Sequence, residues 1–506
     1  MSALNLDVWL DGPPIPAGRL TTNEDRSLSF AYSTDYLDGG HPALSLALPL
    51  GDAPVGDALT RAFFGNLLPE NDAMRRVIER EGLDRDDIAG ILFHVGADCA
   101  GAISCLPQGS PPAKVPGVLA EDYRPLGDGE LERIVESLAD ERRLPDDIND
   151  PSPVAGVQRK IALARLADGR FALPIEGRHV PTTHILKVPR RGKELEAAHE
   201  EAAARLAASA GLDVCIPLAQ HIGHAEALLI ERFDRLVIDG TVYRLHQEDF
   251  AQALGLPASL KYERHGQAGR RFDAAAVASL LDRTANPALS RDSFLRATIF
   301  NLAIGNNDNH AKNHGLLYGG GMAPRLTPLY DLLPTRIDPD VTHALAYRIG
   351  NAEELEAIGP SDLRSFLAIF GLDGARARRF IEQAVIPLLQ SIEAASAQLP
   401  RARLKRFDDL IGRELGQLDA ALGLGLALRE RGSPPRRTRA RAFSLPADDR
   451  CCCSSSPNSP AHGQRTSRNP LGARNPPIRE TSRRETTGAP PLRTGPSSRN
   501  LVSYRG

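Results

Sequence analysis

The chain has 506 residues, enough for two or three domains, and its 42% hydrophobic and 25% charged content is that of an ordinary globular protein. No apolar run approaches the ~20 residues that span a bilayer, and MSALNLDVWLDG lacks the form of a signal peptide, so a cytoplasmic location without membrane contact is expected. The formal charge of −3 is uneven: from Arg431 onward fifteen Arg, no Lys and four acidic residues give about +11, leaving about −14 elsewhere, which argues against a body that grips DNA unaided.

The first part of the chain reads as mixed β with turns. LDVWLDG (6–12) and RSLSFAYS (26–33) alternate, and ALSLALPL (43–50) reads as a third short strand closed by proline. LTRAFFGNLLPENDAMRRVIERE (59–81) is predicted as a helix, followed by DIAGILFHVG and the small-residue run ADCAGAISCL. This domain is expected over residues 1–120, and the acidic, proline-punctuated residues 121–150 are expected to be a linker. Cys99, Cys105 and Cys215 lie singly in apolar surroundings and read as buried thiols, while Cys451, Cys452 and Cys453 lack the gaps of a zinc site.

A second domain is expected over 151–430. SPVAGVQRKIALARLADGRFALP (152–174) predicts two strands around ADGR, and THILKVP (183–189) predicts another. KELEAAHEEAAARLAASAG (193–211) is strongly helical and ends on Gly211, a residue suited to a helix C-terminus. LLIERFDR (228–235) reads as a link between lobes, closing a nucleotide-binding part over residues 151–235, with 236–430 after it as a helical lobe. One helix is predicted to begin near Asp292, and the last, RARLKRFDDLIGRELGQLDAALG (401–423), closes the folded body. Strands first and helices second give a two-lobed α+β fold. The Pro-, Ser-, Gly- and Arg-rich residues 431–506 have no apolar periodicity and are expected to be disordered.

The polar stretch IGNNDNHAKNH (304–314) follows the apolar FLRATIFNLA and carries the chemistry. Asp308 precedes Asn313 by five residues, and Asp331 comes eighteen residues after that, beyond two predicted strands around a glycine turn. A hairpin would return Asp331 beside Asn313, and two hard oxygen ligands suit Mg²⁺ completed by phosphate and water. Asp308 would then accept the proton of an attacking hydroxyl, as in a kinase catalytic loop. His310 and His314, four apart, have the spacing of a zinc pair, but no Glu or Cys completes the set.

Other residues fit phosphate. Ala155 and Gly156 in VAGVQRK permit close backbone approach. Lys187 sits mid-strand, where a charge is costly unless it meets an anion or snorkels from a sheet edge, and Glu200 on the next helix is its candidate partner. The backbone of Glu231, Arg232 and Phe233 is placed to meet an adenine edge.

VAGVQRK, PTTHILKVP, ERFDR, RLHQEDFAQALG, GNNDNHAKN and LTPLYDLLP, in that order, resemble the HipA family of serine/threonine kinases, the toxins of bacterial HipBA toxin–antitoxin modules. FFGNLLPEN and VGADCAGAI resemble the family's N-terminal region, and the likeness spans roughly residues 5–425. It implies a protein-kinase-like fold using ATP and Mg²⁺, a HipB-type helix-turn-helix antitoxin as partner, and DNA contact only through that antitoxin. The implied substrate is a protein, an aminoacyl-tRNA synthetase such as glutamyl-tRNA synthetase, whose phosphorylation stalls translation and promotes dormancy. Carried over, Asp308 is the catalytic base, Asn313 and Asp331 are metal ligands, and Lys187 is the phosphate lysine. Ala155, Gly156, Val157, Gln158, Arg159 and Lys160 form the phosphate loop, with His310 and Lys312 also in the nucleotide-binding set. Family members often carry an autophosphorylated serine where this chain has Pro153, which puts that switch in doubt or moves it to Ser152. Two other readings stay open: a small-molecule phosphotransferase, and an idle partner of a DNA-binding antitoxin. The intact set Lys187, Asp308, Asn313 and Asp331 argues against the idle partner.

Overall fold

Alternation builds the first sheet. In the computed structural model, which describes residues 4–68, 72–148, 150, 159–319 and 323–430, β1 (Asn5–Leu10) buries Leu6, Val8 and Leu10. It pairs antiparallel with β2 (Gly18–Thr22), which pairs in turn with β3 (Leu28–Tyr32). Helices α1 (Thr34–Asp38), α2 (Asp57–Asn66), α3 (Asp72–Glu81) and α4 (Ile88–Val95) precede β4 (Ile103–Pro107), which completes the order β3-β2-β1-β4. Phe30, Phe63, Phe64 and Leu92 fill the core beneath, with the buried thiols of Cys99 and Cys105 beside them.

Two expectations fail in this domain. Residues 43–50 form no strand but a turn with a Ser45–Leu48 bridge. Their backbone groups go to side chains: Tyr32 Oη accepts from Leu44 N–H and donates to Leu48 O, and Leu46 N–H donates to Glu248 at 3.0 Å. The helix expected over 59–81 is two, α2 and α3, because Pro69 cannot donate a helical hydrogen bond and disfavours helical geometry at Leu68.

The second sheet begins earlier than the sequence indicates. After β5 (Gly117–Val118), residues 121–150 carry β6 (Tyr123–Pro125) and α5 (Asp128–Asp140), where a bare linker was expected. The acidic residues of α5 mark its wet face, while Ile134, Val135 and Leu138 pack with Ile161, Leu163 and Leu186. Then come β7 (Arg159–Arg165), β8 (Phe171–Pro174), β9 (His184–Val188), α6 (Leu195–Ser209), β10 (Leu218–Ile222) and β11 (Ala225–Glu231). The order is β10-β11-β9-β7-β8-β6, which puts Lys187 on an interior strand and not on an edge.

The C-terminal lobe opens with the hairpin β12 (Arg235–Ile238) and β13 (Thr241–Arg244), then β14 (His246–Asp249), α7 (Phe250–Ala253), α8 (Ala274–Leu281) and α9 (Pro287–Ile304). α9 starts five residues before Asp292, because Asn286 caps Leu289 N–H at 3.2 Å and Pro287 occupies the first turn. β15 (Gly315–Tyr318) and β16 (Arg325–Leu326) form the expected hairpin, with Leu316 opposite Leu326. β17 (Ala344–Ile349), β18 (Ala352–Glu354), α10 (Pro360–Ile369), α11 (Gly374–Phe380), α12 (Ile386–Ser396) and α13 (Arg401–Leu422) close the lobe around Phe294, Phe300, Phe366 and Phe407. Ser152, Pro153, Ala155, Gly156, Val157, Gln158 and the tail from Arg431 lie outside the described residues.

The N-terminal domain is wired into this lobe by buried polar groups. The Arg244 guanidinium is fully enclosed and meets Asp11 at 2.6 Å and Asp98 at 2.9 Å. Glu248 accepts from Tyr318 Oη at 2.6 Å as well as from Leu46 N–H, and His246 bonds Leu44 O at 2.8 Å. Burial pushes Glu248 up to about 7 and pushes His184, His199 and His246 down to about 4.

These shifts give stability a pH dependence. Between pH 6.5 and 4 the unfolded chain protonates three histidines that the folded chain keeps neutral, so stability falls on acidification, by on the order of 1–2 kcal/mol per histidine at pH 5. Glu248 works the other way, binding a proton in the folded state below about pH 7, but is outnumbered. The melting temperature at pH 5 is therefore expected to lie roughly 5 °C or more below that at pH 7. Circular-dichroism melts at the two pH values check this, and an equal or higher value at pH 5 contradicts it.

Candidate active site

Lys187 stands opposite Lys160 in the register of β9 and β7, so two cations share one stretch of sheet. A charge on an interior strand needs an anion, and the Lys187 ammonium has two: Glu200 on α6 at 2.9 Å and Asp331 at 2.6 Å. Burial alone would lower the Lys187 pKa, but the two carboxylates overcome this and hold it above the ordinary lysine value. Lys187 in turn holds the Asp331 carboxyl below its usual range against burial. Glu200 is pushed up by burial, with Lys187 opposing.

The loop bearing Asp308 is shaped by its own amides. α9 ends at Gly305, whose φ of 71° is left-handed and whose missing Cβ leaves room for Leu410 and Arg336. Asn306 donates to Asn301 Oδ1 at 2.8 Å and accepts from Asp308 N–H at 3.2 Å. Asn313 Nδ2 donates to Asp308 O at 2.8 Å, closing the five-residue span. Asp308 is half-buried, and its Oδ1 accepts a hydrogen bond from the Tyr262 hydroxyl.

The hairpin brings the later carboxylate back. Tyr330 Oη donates to Lys312 O at 2.9 Å, so the residue before Asp331 lies on the residue before Asn313. Asp308 and Asp331 both act on His310, whose pKa is nonetheless lowered by burial and by Lys261. Asp331 has a φ of 56°, left-handed for a residue with a side chain, a conformation costing on the order of 1 kcal/mol and concentrated at functional sites.

A carboxylate and an amide oxygen are hard donors of the kind that Mg²⁺ takes together with phosphate. Among the described residues no three His, Cys, Asp or Glu side chains come together as a metal group. His314 is unsuited to zinc, since its ring packs against Phe250 and Phe294, each at 5.2 Å.

Other expected contacts are divided. Phe233 stacks on Tyr330 at 5.5 Å, so the 231–233 segment borders the site. Arg232 N–H is spent on Thr183 O at 3.0 Å, and its guanidinium is buried on Asp234 at 2.8 Å. Glu231 is exposed, and its carbonyl accepts from Cys215 Sγ at 3.2 Å. Arg159 and Lys160 are half-buried on β7. Lys312 reaches Asn66 Oδ1 of the N-terminal domain at 2.9 Å and Asp249 at 3.2 Å. Sequence reasoning missed Tyr262, Asn66, Asp249 and Tyr330, none of which stands in a charge pattern that marks it.

Residues 6–106 match the family model of the HipA N-terminal domain, and residues 152–395 that of the HipA-like C-terminal domain. A protein named as a kinase, Y4mE of Sinorhizobium fredii, is 33% identical over 81% of this chain and 97% of its own. This chain belongs to the HipA family. The serine/threonine-protein kinase toxin HipA of Shewanella oneidensis is 32% identical over 67% of this chain and 78% of its own. A solved complex of Shewanella oneidensis HipA with HipB and operator DNA contains a chain that matches with a TM-score of 0.68 at 27% identity, covering 83% of this chain and 98% of that one. The two-lobed α+β arrangement is thus the kinase-like HipA fold, and the family is one of serine/threonine kinase toxins.

Proposed function

We propose that this HipA-family chain is an ATP- and Mg²⁺-dependent serine/threonine protein kinase and the toxin of a toxin–antitoxin pair. The observation that carries the reading is the meeting of Lys187 with both Glu200 and Asp331 at the loop that presents Asp308. Lys187, fixed by Glu200, would meet the nucleotide phosphates, and Lys160 would add positive charge. Asn313 and Asp331 would hold Mg²⁺, which supplies neutralisation of charge on the transferring phosphoryl group. Asp308 takes the proton of the acceptor hydroxyl, and Phe233 borders the base end of the nucleotide.

Support for a partner comes from the solved relative, in which HipA is assembled with HipB and operator DNA. For this chain a HipB-like helix-turn-helix antitoxin is the expected partner, with DNA held through it; the acidic body supports this, since it repels phosphate backbone. The acceptor is expected to be an aminoacyl-tRNA synthetase, glutamyl-tRNA synthetase first. Incubating the purified chain with γ-labelled ATP, Mg²⁺ and host lysate tests this. One labelled synthetase band is expected, and label only in small metabolites would favour a small-molecule phosphotransferase.

A further inference from the structure

Between α7 and α8 the chain makes two short turns, Ala258–Leu260 and Glu263–His265, that lie against the Asp308 loop. Tyr262 separates them, and its hydroxyl donates to Asp308 Oδ1. The turns are anchored on both sides. Ala311 N–H, three residues past Asp308, donates to Lys261 O at 3.1 Å. The buried carboxylate of Glu263 accepts from Arg348 N–H of β17 at 2.7 Å, and Arg264 donates to Leu345 O at 3.3 Å.

The ring is held as firmly as the backbone. The Arg264 guanidinium lies 4.1 Å from its centroid and the Lys261 ammonium 5.4 Å away. His310 meets it edge to face at 5.2 Å. Cations over an aromatic face are attracted to it and polarise its hydroxyl towards donation.

We infer that Tyr262 is a positioning residue that fixes the plane of the Asp308 carboxylate and leaves Oδ2 to receive the acceptor proton. The inference rests on the kinase reading above. A carboxylate turns easily about its last torsion, and a base must point at the proton it removes. With Oδ1 tied to the phenol, that torsion is set before the acceptor arrives. In the transfer, the acceptor oxygen bonds to the γ-phosphorus as the bond to the ADP oxygen breaks. The acceptor proton passes to Oδ2, and Tyr262 keeps its own.

Two variants test this. Tyr262→Phe keeps the ring, both cation contacts and the His310 edge, and removes only the hydroxyl; Tyr262→Leu removes all of them. With γ-labelled ATP and the protein acceptor found in lysate, Tyr262→Phe is expected to lower kcat by about 10- to 100-fold, with both KM values within about twofold and the melting temperature unchanged. Wild-type kcat in Tyr262→Phe would overturn the inference while leaving the kinase reading intact. A loss in both variants that tracks a lower melting temperature would overturn it too, by making the side chain a structural prop. No transfer by the unmodified chain would overturn both readings together.

Discussion

Asp308→Ala is expected to abolish phosphoryl transfer, lowering kcat by about 10³-fold or more, while nucleotide affinity stays within about twofold. Asp308 makes no ion pair with Lys187, whose two anionic partners are Glu200 and Asp331. Its removal therefore leaves that cluster intact and takes away the proposed base, along with the acceptor of the Tyr262 hydroxyl. The loop should keep its shape, since the bond from Asn313 goes to the Asp308 carbonyl and not to its side chain. Transfer of label with the alanine variant, alongside a nucleotide titration, is the measurement. Retained transfer would remove the assigned role.

Asp331 is expected to behave in the opposite way. Asp331→Ala and Asp331→Asn should each weaken Mg·ATP binding by about tenfold or more, because an alanine offers no ligand and an amide a neutral one. Comparing the two separates backbone from charge. Both variants lose the ion pair with Lys187, but Asn accepts the left-handed conformation far more readily than Ala, so the alanine variant should be the less stable of the two, by about 1 kcal/mol. Calorimetric titration with and without Mg²⁺ reads the first effect and thermal melts the second. Unchanged nucleotide affinity in the presence of Mg²⁺ would remove the metal assignment.

Local physics made the sheet around Lys187 legible. The apolar run within residues 159–165, the alternation of 184–188 and the alanine-rich period of 195–209 each write one element, and those elements fold as read. Lys187 could be picked out because a charge inside an apolar strand demands an explanation wherever the strand lies. The Asp308–Asn313 span was also visible, being short enough to be set by one loop. What stayed hidden depends on distant partners. Tyr262 lies 46 residues from Asp308, and Asn66 lies 246 from Lys312, so neither spacing marks them. The run 43–50 misled for the same reason: its alternation is real, but Tyr32 and Glu248 claim the backbone groups that a neighbouring strand would have used. The acidic residues 121–150 misled because the apolar side of one helix is diluted by the charges of its other side.

The hydrogen bond from Lys312 to Asn66 ties a residue of the Asp308 loop to the end of a helix in the N-terminal domain. Recombination between relatives is constrained accordingly. A chimaera that joins the front module of one gene to the rear of another hands the Asp308 loop to a foreign amide, and, on the kinase reading, a mismatch there would surface as lost turnover in a well-folded hybrid. Exchanges of that kind should succeed only where the junction carries both ends of the contact from the same parent.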